Sequence, residues 1–191
     1  MTVGVLALQG DFILHKKMLD RIDVNVKFVK AATDLEGCCG LIIPGGESSV
    51  ISKLIQRNNL YKNIIDFSKS KTIFGTCAGM IMMSSNVAND DRIMTLNIMD
   101  FEVRRNAWGR QYDSFKSLLT INSDEINGIF IRAPKVTKLN NKINIMAKIN
   151  NEAVLLSDGN HIVSSFHPEL TENTLIHQLF IDMINKKYAI A

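Results

Sequence analysis

Short apolar runs alternate with helical patterns through the first half of the chain. Residues 2–8 are almost entirely apolar and end at Gln9-Gly10, which is typical of a strand buried on both faces. The four-residue spacing of Leu14, Met18 and Ile22 then predicts a helix. Further strands are predicted at residues 24–29, 40–44 and 72–74, with a helix before the last of them marked by Val50, Ile51, Leu54 and Ile55. This β-α-β-β-α-β order favours an α/β domain with right-handed crossovers.

The second half of the chain is predicted to form short strands joined by polar connections. Candidate strands lie at residues 100–105, 118–121, 129–132, 145–149 and 153–156. Asp158-Gly159 predicts a hairpin turn between Leu156 and Ile162. The closing helix is amphipathic, with an apolar face of Leu175, Ile176, Leu179, Phe180, Met183 and Ile184. Because no repeat or linker divides the sequence, we expect one domain over residues 1–191.

Composition narrows the class of protein. Apolar residues make up 46% of the 191 residues and charged residues 21%, as in globular proteins. The net charge of +3 is too small to indicate a nucleic-acid partner, and no apolar run approaches the ~20 residues that cross a membrane. The N-terminus lacks the features of a secretory signal, and the three cysteines form neither a disulfide framework nor a metal-binding spacing. We therefore expect a cytoplasmic protein.

The richest local motif is Phe74-Gly75-Thr76-Cys77-Ala78-Gly79. A predicted strand runs into a cysteine with a glycine two positions to either side, and a helix follows. This is the cysteine version of a nucleophile elbow, a tight turn that presents the nucleophile at the carboxyl edge of a sheet. The start of the following helix favours the thiolate. A buried structural cysteine between turn glycines is the alternative.

A cysteine nucleophile needs a base, and His167 is the best placed of the four histidines. It follows the apolar strand at residues 162–166, and functional groups of parallel sheets gather at such strand ends. Glu169 lies two residues further on and can orient the imidazole. His161, by contrast, adjoins the predicted turn and is expected to be exposed.

Two other segments carry candidate binding groups. In Pro44-Gly45-Gly46-Glu47-Ser48-Ser49, the glycines permit a sharp turn, Ser48 or Ser49 is expected to cap the next helix, and the Gly46 N–H could face an oxyanion. Arg104, Arg105 and Arg110 surround the single tryptophan, and Arg132 ends an apolar strand. Guanidinium groups bind carboxylates through paired hydrogen bonds, so these arginines could hold a substrate carboxylate.

The cysteine and histidine motifs together resemble the class I (triad) glutamine amidotransferases. The chain is most similar to the glutaminase subunits of pyridoxal 5′-phosphate synthase. Five segments in family order carry the likeness: residues 4–11, 44–48, 74–79, 105–111 and 165–171. Ser49 stands where relatives often have threonine. The resemblance implies a three-layer, flavodoxin-like α/β fold.

The resemblance also implies roles for individual residues. Cys77 would attack the carboxamide of L-glutamine, with His167 as base and then acid and Glu169 orienting it. Backbone N–H groups at Gly46 and Ala78 would form the oxyanion hole. The glutamine itself would be held at positions that match Gly46, Glu47, Ser48, Arg105, Ile131 and Arg132. Neither a metal nor a cofactor is implied.

The chain length suggests a partner. A glutaminase uses the whole chain, and a (β/α)₈ synthase would need about 250 residues more. We therefore expect a separate synthase subunit, which in the family is the PdxS barrel that joins ammonia with ribose 5-phosphate and glyceraldehyde 3-phosphate.

Three alternatives remain open at this point. They are the glutaminase subunit of another amidotransferase, such as imidazole glycerol phosphate synthase, a stand-alone cysteine hydrolase, and a non-catalytic regulatory module.

Overall fold

The structure is a computed structural model that describes residues 1–108 and 114–190. Gly109, Arg110 and Gln111 of the predicted arginine segment lie outside these residues. The strands are β1 (Thr2–Leu6), β2 (Asn25–Val29), β3 (Gly40–Ile43), β4 (Thr72–Thr76), β5 (Asn86–Val87), β6 (Phe101–Arg104), β7 (Ser114–Ile121), β8 (Asp124–Ile131), β9 (Lys135–Leu139), β10 (Asn144–Ile149), β11 (Glu152–Ser157) and β12 (Ile162–Ser164). The helices are α1 (Phe12–Asp20), α2 (Ser48–Arg57), α3 (Tyr61–Ser68), α4 (Ala78–Met83) and α5 (Leu175–Ile190), with short 3₁₀ turns at Ala32–Leu35 and Pro168–Leu170.

A seven-stranded sheet forms the centre of the fold, in the order β10-β11-β12-β4-β3-β1-β2. Strands β2, β1, β3, β4 and β12 are parallel, while β10, β11 and β12 pair antiparallel. The chain order of the parallel strands, with β1 inside β2, is that of flavodoxin-like sheets. The predicted α/β class and parallel sheet are confirmed.

Alternate side chains of the central strands bury against opposite layers. In β3, Leu41 and Ile43 pack into a core with α2, α3 and α4, whereas Ile42 packs into a core with α1 and α5. The hairpin of β7 and β8 covers part of the second face, with Phe130 fully buried there. Both faces of the sheet are therefore covered, as expected of strands that are apolar throughout.

The register of the sheet positions the functional loops. Ser164 at the end of β12 pairs with Thr76 at the end of β4, so the segments after these strands leave the sheet side by side. The loop after β3 joins them, because Ile43 pairs with Gly75. Three of the motifs singled out in the sequence thus meet at the carboxyl edge of the sheet.

Some local predictions need correction. Helix α1 ends at Asp20, so Ile22 lies beyond it. His161 is buried, not exposed, because its Nδ1 accepts a hydrogen bond of 3.1 Å from the Ile73 N–H. Helix α3 and strands β5 and β9 were not predicted. The Asp158-Gly159 hairpin is confirmed, since β11 and β12 pair on either side of it.

Candidate active site

Cys77 occupies the turn between β4 and α4. Its φ is +48° and its ψ is −101°, and its N–H donates a 2.8 Å hydrogen bond to the Ser164 carbonyl oxygen. Positive φ is uncommon for a residue with a side chain and is found where the surroundings enforce it. A Cβ on Gly79 would overlap the Ile43 carbonyl oxygen, so the glycine after the cysteine lets α4 pack against β3. The elbow geometry predicted from the glycine spacing is present.

His167 and Glu169 form a buried hydrogen-bonded pair beside this turn. His167 Nδ1 lies 2.7 Å from Glu169 Oε1, and the two residues are 5% and 3% exposed. The His167 N–H donates to the Ile129 carbonyl oxygen at 2.8 Å, which ties the segment to β8. A Cβ on Gly45 would overlap the imidazole ring, so the glycine admits His167 to the site. Because His167 Nδ1 pairs with the Glu169 carboxylate, Nε2 is the ring nitrogen that can exchange a proton with the Cys77 thiol.

The charges around this pair favour an imidazolium beside a carboxylate. Burial alone would lower the pKa of His167, but hydrogen bonds and charge interactions with Cys77 and Glu169 outweigh it and raise that pKa to about 10. Burial would likewise raise the pKa of Glu169, but His15 and His167 lower it on balance. A protonated imidazole is the partner that stabilises a nearby thiolate.

A cleft of about 210 Å³ opens in front of these groups. It brings together the residues expected to hold a substrate, and its lining includes Gly46, Glu47, Ser48, Arg105, Ile131 and Arg132 beside Cys77 and His167. Ala78 directly follows Cys77 as the first residue of α4, where a backbone N–H has no acceptor within the helix. The sequence-predicted positions therefore share one site.

Glu47 and Arg105 form the polar side of the cleft. Arg105 Nη2 lies 2.6 Å from Glu47 Oε1, and Nη1 lies 2.8 Å from Asp90 Oδ2. Glu47 also caps α2, because its carboxylate accepts from the backbone N–H and the hydroxyl of Ser49. The prediction that Ser48 or Ser49 caps this helix is therefore wrong. Ser48 Oγ is buried and, within the described part of the chain, has no hydrogen-bond partner, so it is available to a ligand.

Gln9 is a cleft residue that sequence reasoning did not single out as functional. Its Oε1 accepts a 2.9 Å hydrogen bond from the Glu47 N–H, and a Cβ on Gly46 would overlap that oxygen. Gln9 thereby sets the backbone at the glycine pair. The position of Gln9 after the first predicted strand, at the same edge of the sheet as Cys77, is the sequence signal that could have identified it as a site residue.

Asp11, His167 and Glu169 are the one group of potential metal ligands among residues 1–108 and 114–190. Their ligand atoms lie within 4.8 Å of one another. Because His167 Nδ1 and Glu169 Oε1 already pair with each other, the group is better explained as an oriented base than as a metal site.

No helix in the described ranges combines the length and apolarity needed to span a membrane.

Comparisons with known proteins find relatives over nearly the whole chain. The model of the SNO glutamine amidotransferase family matches residues 5–186. The subunit PdxT of pyridoxal 5′-phosphate synthase from Francisella tularensis subsp. tularensis is 43% identical over 181 residues, which cover 95% of this chain and 98% of that protein. The PdxT subunit from subsp. novicida is 42% identical with the same coverage.

Two solved structures are similar to the fold. A crystal structure described as a glutamine amidotransferase superimposes with a TM-score of 0.93 at 38% identity and covers 96% of this chain and 98% of its own. A glutamine amidotransferase from Thermotoga maritima gives a TM-score of 0.59 at 12% identity, covering 98% of this chain and 85% of its own. The second likeness concerns the fold alone.

Proposed function

The chain belongs to the SNO glutamine amidotransferase family, and from this membership we propose that it hydrolyses L-glutamine as the glutaminase subunit of pyridoxal 5′-phosphate synthase. The observation that carries the proposal is Cys77, held at positive φ beside the buried His167–Glu169 pair. The cleft in front of them gathers the residues expected to bind glutamine. Residues 1–191 form one glutaminase domain in this proposal.

In the proposed reaction, the Cys77 thiolate attacks the carboxamide carbon of glutamine. His167, having taken the thiol proton, returns a proton to the departing nitrogen, so that ammonia leaves and a γ-glutamyl thioester remains. His167 then takes a proton from water, which attacks the thioester and releases glutamate. Glu169 keeps the ring oriented and stabilises its charge throughout.

Backbone N–H groups at Gly46 and Ala78 stabilise the oxyanion that forms in each tetrahedral intermediate. Both residues lie close to Cys77, one in the loop after β3 and one at the start of α4. Such donors act most strongly when they are already in place before charge develops. The narrow turn at Gly45-Gly46 supports this role, and in this structure the N–H of the next residue, Glu47, donates a hydrogen bond to Gln9.

The remaining cleft residues recognise the amino-acid end of glutamine. Arg105 and Arg132 offer guanidinium groups to the α-carboxylate, and Glu47 offers a carboxylate to the α-ammonium group. Ser48 contributes its hydroxyl, which has no partner among the described residues, and Ile131 lines the same cleft. Neither a cofactor nor a metal enters this scheme.

Ammonia requires an acceptor, which we propose is supplied by a PdxS synthase subunit in a hetero-oligomer. Ammonia would pass to it through a protected channel, since in water at neutral pH most of it becomes ammonium. We propose that the reaction takes place in the cytoplasm. No nucleic acid or membrane takes part in the scheme.

The test is a reconstitution with purified components. The chain is combined with a PdxS subunit, glutamine, ribose 5-phosphate and glyceraldehyde 3-phosphate, and both glutamate and pyridoxal 5′-phosphate are measured. We expect both products. Glutamate release that supports only an imidazole glycerol phosphate synthase cyclase would favour that pathway instead, and the absence of glutamate release in every combination would refute the glutaminase function.

A further inference from the structure

Two buried histidines lie directly behind the His167–Glu169 pair and have no part in the scheme above. His15 of α1 and His177 of α5 are both 0% exposed. His15 Nδ1 lies 3.0 Å from His177 Nε2, and His15 Nε2 lies 3.2 Å from the hydroxyl oxygen of Thr76. The same Nε2 is 3.5 Å from Glu169 Oε2. His15 therefore contacts both the carboxylate behind the base and the residue that precedes the nucleophile.

Among the described residues, no hydrogen bond holds the second carboxylate oxygen of Glu169. Oε1 is occupied by His167, while Oε2 is buried and has no hydrogen-bond partner within residues 1–108 and 114–190. A buried carboxylate oxygen without a donor is costly. The ring Nε2 of His15, 3.5 Å away, can supply one.

The contacts distinguish between the two ways of placing protons on the histidine pair. If His177 Nε2 donates to His15 Nδ1, the proton of His15 is on Nε2 and points to Thr76 and Glu169. If His15 Nδ1 donates instead, a lone pair of His15 faces the Glu169 carboxylate and repels it. The first arrangement is favoured, and a histidine paired in this way has its tautomer fixed by the second ring.

Both rings are neutral in this arrangement. Burial lowers the pKa of His15 despite the opposing charge of Glu169, and burial together with His15 lowers the pKa of His177 to about 3. The titratable groups that act on His15 are Glu169, His167 and Asp11, with His177 on its other side. The pair thus places a neutral N–H group 3.5 Å from Glu169 Oε2, without adding a positive charge.

We propose that His15 is a positioning residue, which holds Glu169 through Oε2 and so fixes the orientation of His167, and that His177 sets the tautomer of His15. This rests on the proposed function. His15 is absent from the lining of the substrate cleft, so its loss is expected to lower kcat and leave KM for glutamine nearly unchanged. A residue that supports only the fold would not produce this separation.

The experiment compares three variants of the full chain in complex with its synthase subunit. His15→Leu removes the donor, and His15→Gln keeps an N–H near the position of Nε2. His161→Leu is the matched control, because His161 is also buried and bonds to β4, but at Ile73, away from the triad. For each variant, kcat and KM for glutamine, the melting temperature and the rate of Cys77 alkylation against pH are measured.

We expect His15→Leu to lose roughly 10–100-fold in kcat, by analogy with the outer hydrogen-bond partners of metal-binding residues, whose loss costs about that much. The rate of Cys77 alkylation at neutral pH, followed by mass spectrometry of its peptide, should fall. This follows because a misplaced Glu169 stabilises the His167 imidazolium less. His15→Gln should recover most of the kcat and the alkylation profile, and His161→Leu should change neither.

An unchanged kcat and alkylation profile in His15→Leu would overturn the proposal. So would a failure of His15→Gln to recover activity in a folded protein, or an equal loss in His161→Leu at a matched melting temperature. A wild-type complex that releases no glutamate would instead refute the proposed function, and the alkylation profiles would still report on His15.

Discussion

Exchanging Glu169 for glutamine removes the negative charge behind His167 while keeping the side-chain size. Glu169 Oε1 lies 2.7 Å from His167 Nδ1 in a buried environment. A glutamine amide oxygen can still accept this hydrogen bond, so the ring keeps its orientation. The charge that helps to raise the pKa of His167 is lost, and with it part of the stabilisation of the imidazolium.

The size of the effect follows from the contact that changes. A hydrogen bond to a charged group contributes about 1.5–3 kcal/mol, and about 1.4 kcal/mol corresponds to a factor of ten in rate. Glu169→Gln is therefore expected to lower kcat roughly 10–100-fold. His167→Asn removes the proton carrier itself and should cost on the order of 10³-fold or more.

The assay is steady-state glutamate release at saturating glutamine with the synthase subunit in excess. Circular dichroism and melting temperature show whether each variant is folded. A greater loss in Glu169→Gln than in His167→Asn would reverse the two roles. An unchanged kcat in Glu169→Gln would show that the carboxylate takes no part in the reaction.

Three further predictions concern other parts of the site. Cys77→Ala should abolish glutamine hydrolysis but keep the fold and synthase binding, and added ammonia should still support cofactor synthesis by the complex. Glutamine hydrolysis by this variant at a rate comparable to the wild type would contradict the mechanism. Arg105→Ala and Arg132→Ala should mainly raise KM for glutamine, because the α-carboxylate does not change charge during amide cleavage. An unchanged KM in both variants would show that these arginines do not bind glutamine. The isolated chain should be a weak glutaminase that its synthase activates. The Gly45-Gly46 turn can reorient at low steric cost, so that the Gly46 N–H faces away from the oxyanion, and one missing oxyanion donor costs roughly 10²–10³ in rate. An equal kcat with and without the synthase would contradict this prediction.

The triad could be predicted from the sequence because its residues follow local rules. Glycines flank Cys77 at fixed spacing, His167 ends an apolar strand, and Glu169 is two residues away. These signals need only the positions of strands, which the apolar runs provide. The sheet order then places both strand ends side by side, as the pairing of Thr76 with Ser164 shows.

Other features of the site depend on contacts between distant segments. The hydrogen bond between His15 and His177 joins residues 162 positions apart, and no local pattern distinguishes such histidines from others on a helix. Asp90 binds Arg105 from a loop, and Gln9 binds the backbone of Glu47. Glu47, and not a serine, caps α2 because the helix begins at Ser48 and the Glu47 carboxylate accepts from the Ser49 N–H two residues further along the chain.

The most direct test of the central claim is a search for the γ-glutamyl thioester on Cys77. The complex of the full chain with its synthase subunit is mixed with glutamine, quenched in acid during turnover, digested and examined by tandem mass spectrometry. We expect a glutamyl adduct on the Cys77 peptide of the wild type, and neither adduct nor turnover in Cys77→Ala. Sustained glutamate release by Cys77→Ala at the wild-type rate would contradict the account.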